Sequence, residues 1–169
     1  SESDVRDYRL EVLNELGVRY NAGLRAAKAV DFDDLLALSA RLLEESDVLE
    51  RDPRLAFRYI LVDEYQDTNR LQYRIVRALA STHQNITVVG DEDQSIYSWR
   101  GADIRNILEF ERDFPGASIL RLEENYRSTQ AILDAASGLV AKNDNRIGKT
   151  LRAMRPGGGR VESLVARDE

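Results

Sequence analysis

Aliphatic residues Ile60-Leu61-Val62 run directly into the adjacent carboxylates Asp63 and Glu64, and a second run, ITVVG at 86–90, leads into Asp91, Glu92 and Asp93. A short apolar run without polar alternation reads as a strand buried on both faces, the mark of a parallel sheet. Strands are expected over 57–63 and 86–90, and Ser118-Ile119-Leu120 opens a third. A helix over 69–80 puts Leu71, Ile75, Val76 and Leu79 on one side. Further helices cover 103–112 and 129–141, the last with Ser128 placed to cap it. Strand, helix, strand, helix, strand at this spacing predicts an α/β fold around a parallel sheet.

The flanks read differently. Residues 3–28 are helical by period and break at Gly17. Asp31 caps a second helix whose stripe is Phe32, Leu35, Leu36, Leu42 and Leu43. Residues 44–54, with Pro53, form a polar loop. After the third strand's helix, residues 142–159 are basic and end in Pro156-Gly157-Gly158-Gly159, a linker or turn, and 160–165 read as one more strand. There are no internal repeats.

Composition removes several classes of function. There are no cysteines, hence no disulfides, thiolate metal sites or thiol nucleophiles. The single histidine, His83, sits in a polar loop, reads as solvent-exposed and cannot build a zinc site alone. No apolar run approaches the roughly 18 residues of a membrane span, and no secretory leader is visible, so a cytoplasmic protein without membrane contact is expected. The first residue is Ser, which fits a processed or excised segment. A net charge of −6 argues against a general nucleic-acid coat, but the charge is uneven. Residues 1–55 hold 8 basic and 13 acidic side chains, net −5, whereas 142–169 hold 7 and 4, net +3. Local fields rather than the total attract a phosphate backbone.

Three stretches carry chemistry. In ILVDEYQDT, two carboxylates stand at the carboxyl end of a strand, where open parallel sheets bind ligands. Magnesium takes oxygen ligands and keeps its waters, so one carboxylate can hold it while its neighbour orients or deprotonates an attacking water. A solvated strand-end loop is the competing reading. In VVGDEDQSIYSWRGA (88–102), Gln94 can bond a phosphate oxygen without adding charge, and Tyr97, Trp99 and Arg100 form the flat faces on which single-stranded bases stack. The alternative places Tyr97 and Trp99 in the core. In LEENYRST (122–129), Arg127 can meet an anion at a strand–helix junction and Tyr126 offers a stacking face. A capped helix with a surface arginine would look the same.

Together, LVDEYQDT, VVGDEDQSIYSWRGA and LEENYRST resemble motifs II, III and IV of the UvrD/Rep/PcrA group of superfamily 1 DNA helicases, in order and with natural spacing. VDFDDLL at 30–36 belongs to the same group, and NDNRIGKTL and GGGRV are similar to the start of its second motor domain. The resemblance implies part of a RecA-like parallel-sheet motor domain with helices on both faces. Residues 1–29 would be the tail of a helical accessory subdomain, 30–141 the C-terminal part of the first motor domain, and 142–169 a linker with the start of the second. It implies ATP and Mg2+ as cofactors, single-stranded DNA and duplex junctions as partners beside the remaining motor segments, and 3′→5′ translocation in repair or replication. By position, Asp63 would hold magnesium, Glu64 would activate water, and Gln94 would contact the γ-phosphate. Tyr97, Trp99 and Arg100 would bind DNA, Tyr126 would stack on adenine, and Arg127 would act as an arginine finger. Asp67 and Thr68 read as structural or relay positions.

One expected element has no match. The phosphate loop G-x-x-x-x-G-K-[ST] should precede the first acidic motif, and nothing upstream of Asp63 fits it. Gly148-Lys149-Thr150 mimics its end, but the required first glycine falls on Asn143 and no buried strand precedes it. Motifs V and VI are absent as well. Two other readings stay open: a non-catalytic module that binds DNA or protein, and part of a helicase–nuclease subunit that shares motifs II to IV.

Overall fold

A computed structural model describes residues 2–45, 47–143 and 146–163. They fall into two compact units: the described residues up to Ile60 with Leu71–Asn85, and Leu61–Arg70 with the described residues from Ile86 onward.

The first unit is helical. Helix α1 (Glu2–Ala27) is continuous, which corrects the expected break at Gly17. An interior glycine costs about 1 kcal/mol relative to alanine, too little to stop a helix with ten or so residues on either side. Glu15 and Arg19 also pair across it at 2.6 Å. The helix stops where Lys28 turns left-handed at φ 51°. There Lys28 N–H bonds Arg25 O at 3.1 Å and Ala29 N–H bonds Leu24 O at 3.0 Å, a Schellman ending. Helix α2 (Phe32–Glu45) starts at Asp31 as expected: Asp31 Oδ1 accepts the Asp34 amide at 2.8 Å, and Asp34 Oδ2 accepts the Asp31 amide at 3.4 Å. Tyr20 adds a hydroxyl bond to Asp31 Oδ2 at 3.0 Å. The Asp34 amide, then this hydroxyl, hold the Asp31 carboxyl below its ordinary pKa. The polar stretch after α2 is more ordered than a loop. It holds helix α3 (Val48–Arg51) and a 3-10 turn at Pro53–Leu55, whose start Asp52 caps by accepting the Arg54 amide at 3.0 Å. Arg74 grips Glu44 with both arms of its guanidinium.

The second unit carries the acidic motifs. Strand β1 (Ile60–Val62) pairs with β2 (Ile86–Val88). The bonds from Ile60 N to Asn85 O and from Val89 N to Val62 O advance in the same direction along both strands, the parallel pattern. In chain order helix α4 (Arg70–Ala80) separates the two strands, and its residues from Leu71 onward belong to the first unit. Burial on both faces is not observed: Leu61 is 78% exposed while Ile60 and Val62 are half-buried. Side chains alternate across a strand, and no element of the described residues covers the Leu61 face.

The helix expected over 103–112 splits into α5 (Arg105–Leu108) and α6 (Phe110–Asp113), with Glu109 outside helical geometry at φ −103°, ψ 12°. The buried Asn106 fixes α5 by donating to Thr68 O at 3.0 Å and Thr68 Oγ1 at 3.1 Å. Phe110 packs edge-on against the buried Tyr65 ring at 5.7 Å and tilted on Phe114 at 4.8 Å.

The third strand does not form at 118–120, where Leu120 is 86% exposed. A strand needs a partner, and the pairing occurs later: β3 (Glu124–Asn125) lies parallel to β4 (Arg152–Ala153), with Glu124 opposite Arg152 and Asn125 opposite Ala153. Helix α7 (Gln130–Val140) follows with Thr129, not Ser128, at its cap position. The Ser128 amide is already bound to Asn125 Oδ1 at 2.8 Å. Residues 160–163 form no strand, and positions 164–165 of that expected element lie outside the described residues, as do Asp144 and Asn145 of the NDNRIGKTL stretch.

Candidate functional site

All eight residues singled out in the sequence belong to the second unit. Asp63 and Glu64 leave the end of β1 as exposed side chains. Asp63 Oδ1 accepts the Glu64 amide at 2.9 Å. Glu64 adopts left-handed backbone geometry (φ 49°, ψ 44°). For a residue with a Cβ this costs about 1–2 kcal/mol, so the turn is held by its surroundings. Two bonds do that: the Tyr65 amide donates to Val89 O at 2.9 Å, and the Val89 amide to Val62 O at 2.8 Å. The Glu64 carboxylate itself accepts from Gln66 Nε2 at 2.7 Å. Thr68 is buried in a structural role, its hydroxyl donating to Tyr65 O at 2.7 Å.

The loop after β2 is tied to this turn. Gln66 Oε1 accepts the Asp91 amide at 3.0 Å. Asp91 caps the 3-10 turn Glu92–Gln94 by accepting the Asp93 amide at 3.0 Å, and its other oxygen accepts Gln94 Nε2 at 2.7 Å. Two cations from the basic segment meet the three acids here. Arg146 makes a bidentate pair with Asp93, both bonds at 2.7 Å. Lys149 bonds Asp91 and lies 3.9 Å from Glu92 and 3.8 Å from Asp93. Burial would push the Asp91 carboxyl up, but the Lys149 ammonium and the Gln94 amide together hold it below its ordinary value. Bonding to Asp93 pushes the Arg146 guanidinium up. The lysine of the Gly148-Lys149-Thr150 mimic is thus committed to carboxylates.

Tyr97, Trp99 and Arg100 form a second, separate constellation. Trp99 is 76% exposed, which removes the core reading for that ring. The Tyr97 and Trp99 rings lie 6.4 Å apart, and the Arg100 guanidinium sits 5.1 Å from the Trp99 ring centre and 5.7 Å from that of Tyr97. The turn that presents them closes on Gly101, whose φ of 83° suits glycine.

Tyr126 and Arg127 stand on a third loop with its own partners. The Tyr126 hydroxyl donates to Glu124 Oε2 at 2.6 Å, which raises its pKa. The Arg127 amide donates to Asn125 Oδ1 at 3.0 Å, and Arg155 reaches Arg127 O at 3.4 Å. The structure therefore joins Glu64 to Gln94 through Gln66 and Asp91, clusters Tyr97, Trp99 and Arg100, and gives Tyr126 and Arg127 the separate partners Glu124, Asn125 and Arg155.

Sequence reasoning passed over Gln66 and Arg146, and met Lys149 only as part of a phosphate-loop mimic in the basic segment. Their signal lay in distant pairing, with Arg146 and Asp93 53 residues apart, which no local pattern encodes. Gly90 carried a readable hint. A glycine at the end of an apolar strand marks close approach, and a Cβ there would lie 2.6 Å from Gln66 Oε1 and 2.7 Å from Ile107 Cδ1.

Fold and site together define an α/β protein with a hydrogen-bonded acid–amide network at the carboxyl ends of a parallel strand pair. Residues 2–115 match the UvrD/REP helicase N-terminal domain. The chain belongs to the UvrD/REP helicase family. It is 50% identical over 145 residues to a probable DNA helicase II homolog of Rickettsia conorii, covering 86% of this chain and 22% of that protein. It is 42% identical to the ATP-dependent DNA helicase PcrA of Staphylococcus aureus strain Mu50, covering all of this chain and 24% of that protein. The chain thus spans under a quarter of the length of these relatives. Among the described residues, no helix is long and apolar enough to cross a membrane.

Proposed function

We propose that this chain is part of an ATP-dependent helicase or translocase that moves 3′→5′ on single-stranded DNA in repair or replication. The observation that carries the reading is the bonded path from Glu64 through Gln66 and Asp91 to Gln94, in a chain of this family. In this reading residues 30–141 are the C-terminal part of a first RecA-like motor domain. Residues 1–29 are the tail of an accessory subdomain and 142–169 lead into a second motor domain.

Asp63 is an exposed oxygen donor at a strand end, beside Glu64 rather than within a cage. Among the described residues no three His, Cys, Asp or Glu side chains converge into one. That donor set fits Mg2+, which keeps most of its waters and shares phosphate oxygens. When bound, the ion would offset charge on the transferring phosphate. Glu64 orients the attacking water and takes its proton. Gln94 reads the γ-phosphate, and because Asp91 already holds its amide, this contact must exchange one acceptor for another. Arg127 stabilises charge in the transition state, and Tyr126 stacks on the adenine once its hydroxyl has left Glu124 or carried it along. Tyr97, Trp99 and Arg100 grip single-stranded bases.

A second reading is favoured by one observation. The exposed Tyr97–Trp99–Arg100 cluster needs no nucleotide to bind DNA, so the chain could serve as a binding module without turnover. ATP hydrolysis by the intact parent protein, with and without single-stranded DNA and beside Glu64→Gln, separates the two. DNA-stimulated turnover that the substitution abolishes supports the motor. DNA binding without hydrolysis in the unaltered parent supports the module.

A further inference from the structure

Gln66 is 1% exposed, and its amide is used at both ends. Nε2 donates to Glu64 Oε2 at 2.7 Å, while Oε1 accepts the Asp91 amide at 3.0 Å. Burying an amide costs free energy unless its donor and acceptor are both paired. Here the partners are the side chain at the end of β1 and the backbone at the end of β2. A primary amide on a side chain of this length meets both demands without charge. An aliphatic side chain of similar volume would serve neither end. A glutamate would serve Asp91 but set a second carboxylate against Glu64.

Two features support a designated post for this side chain. Gly90 leaves it room, since a Cβ there would fall 2.6 Å from Gln66 Oε1. Asp91, whose amide Gln66 holds, in turn holds Gln94 Nε2 at 2.7 Å. Four residues thus form one uninterrupted bonded path between the two groups assigned to water and to γ-phosphate.

We propose that Gln66 is a positioning residue that keeps the Glu64 carboxylate in register with the Gln94 loop. The proposal rests on the roles given above to Glu64 and Gln94. It predicts a distinct signature. Loss of the Glu64 end of the link alone misplaces the base without altering ground-state nucleotide contacts, so in Gln66→Glu, which keeps the Asp91 end, kcat falls while KM for ATP holds.

The test uses the intact parent protein with Gln66→Met and Gln66→Glu. Steady-state ATP hydrolysis is measured with and without single-stranded DNA, alongside thermal midpoints and backbone amide exchange over residues 88–94. Misplacing a reacting group by an ångström costs on the order of a hundredfold, so a kcat loss of about tenfold or more is expected from both variants. KM for ATP should stay within about twofold in Gln66→Glu, which leaves the Asp91 end of the bridge in place. Gln66→Met should also quicken exchange at Asp91. Gln66→Glu keeps that acceptor and should leave exchange slow while still losing turnover, which separates the two ends of the bridge. If the glutamate variant fails to fold, the methionine variant decides alone. Wild-type kcat in folded Gln66→Met, or a loss accounted for by the unfolded fraction, overturns the proposal. An unaltered parent that hydrolyses no ATP overturns the functional reading first, and this proposal with it.

Discussion

Two glycine-to-alanine substitutions should change stability in opposite directions. At Gly90, an added Cβ would meet Gln66 Oε1 at 2.6 Å, Ile107 Cδ1 at 2.7 Å and the Tyr65 amide nitrogen at 3.3 Å. Neither side-chain end can swing away freely: Gln66 is bonded at both ends of its amide, and Ile107 belongs to the short helix that Asn106 anchors. Overpacking of this kind costs about 1–3 kcal/mol, and expelling the Gln66 oxygen from Asp91 adds about 1 kcal/mol, for a total near 2–4 kcal/mol. At Gly17, nothing lies within 4 Å of the added Cβ, and the site is interior to α1. Alanine there should stabilise by about 0.5–1 kcal/mol, because glycine loses more backbone entropy in a helix. Urea unfolding read by far-ultraviolet circular dichroism, with residue-level amide exchange to report each unit separately, gives both values. A cost below about 0.5 kcal/mol for Gly90→Ala would mean that the Gln66–Gly90 approach is loose, and the steric part of the reasoning would fall.

Asn106→Ala removes two hydrogen bonds to Thr68, and at about 1 kcal/mol each the loss should approach 2 kcal/mol in the same unfolding assay. Trp99→Ala should leave the thermal midpoint unchanged, since the ring is exposed, yet weaken single-stranded DNA binding by the parent by about 1–3 kcal/mol in an anisotropy titration. The Asp91 carboxyl has its folded pKa depressed below an ordinary 3.8. Its stabilising contribution is therefore complete above that ordinary value and is lost as pH falls through the lower folded pKa. Acid unfolding of the wild type should show this loss, and Lys149→Met should shrink it; identical acid profiles would count against the Lys149–Asp91 pairing.

The sequence was most legible where structure is local. Asp31 reads as a cap because its carboxylate needs to reach only three residues along the chain, and α2 and α4 follow from periodicity. The junction of β1 with Asp63 and Glu64 was readable for a similar reason, since an aliphatic run and a charge cluster are adjacent in the chain. Strand placement at 118–120 failed because pairing is decided by the partner. Arg152–Ala153 lies beside Glu124–Asn125, not beside the more apolar residues that precede them. The double-sided burial expected of Leu61 failed because hydrophobicity says what a side chain favours, not whether another element reaches it. At the site, the residue types stood out in the sequence, but the linking residues did not. Gln66 is one amide among several, and only the fold puts its two ends between Glu64 and Asp91.

The pairing of Asp91 with Lys149 also bears on how the chain matures during synthesis. The two residues are 58 positions apart, so Asp91, Glu92 and Asp93 leave the ribosome well before either cation that later meets them. At roughly 5–20 residues per second, the acidic loop waits about 3–12 s without those counter-charges. Over that interval the Gln94 amide can be held only through a loop whose own carboxylates repel one another. The 146–149 segment can therefore meet this loop no sooner than translation delivers it.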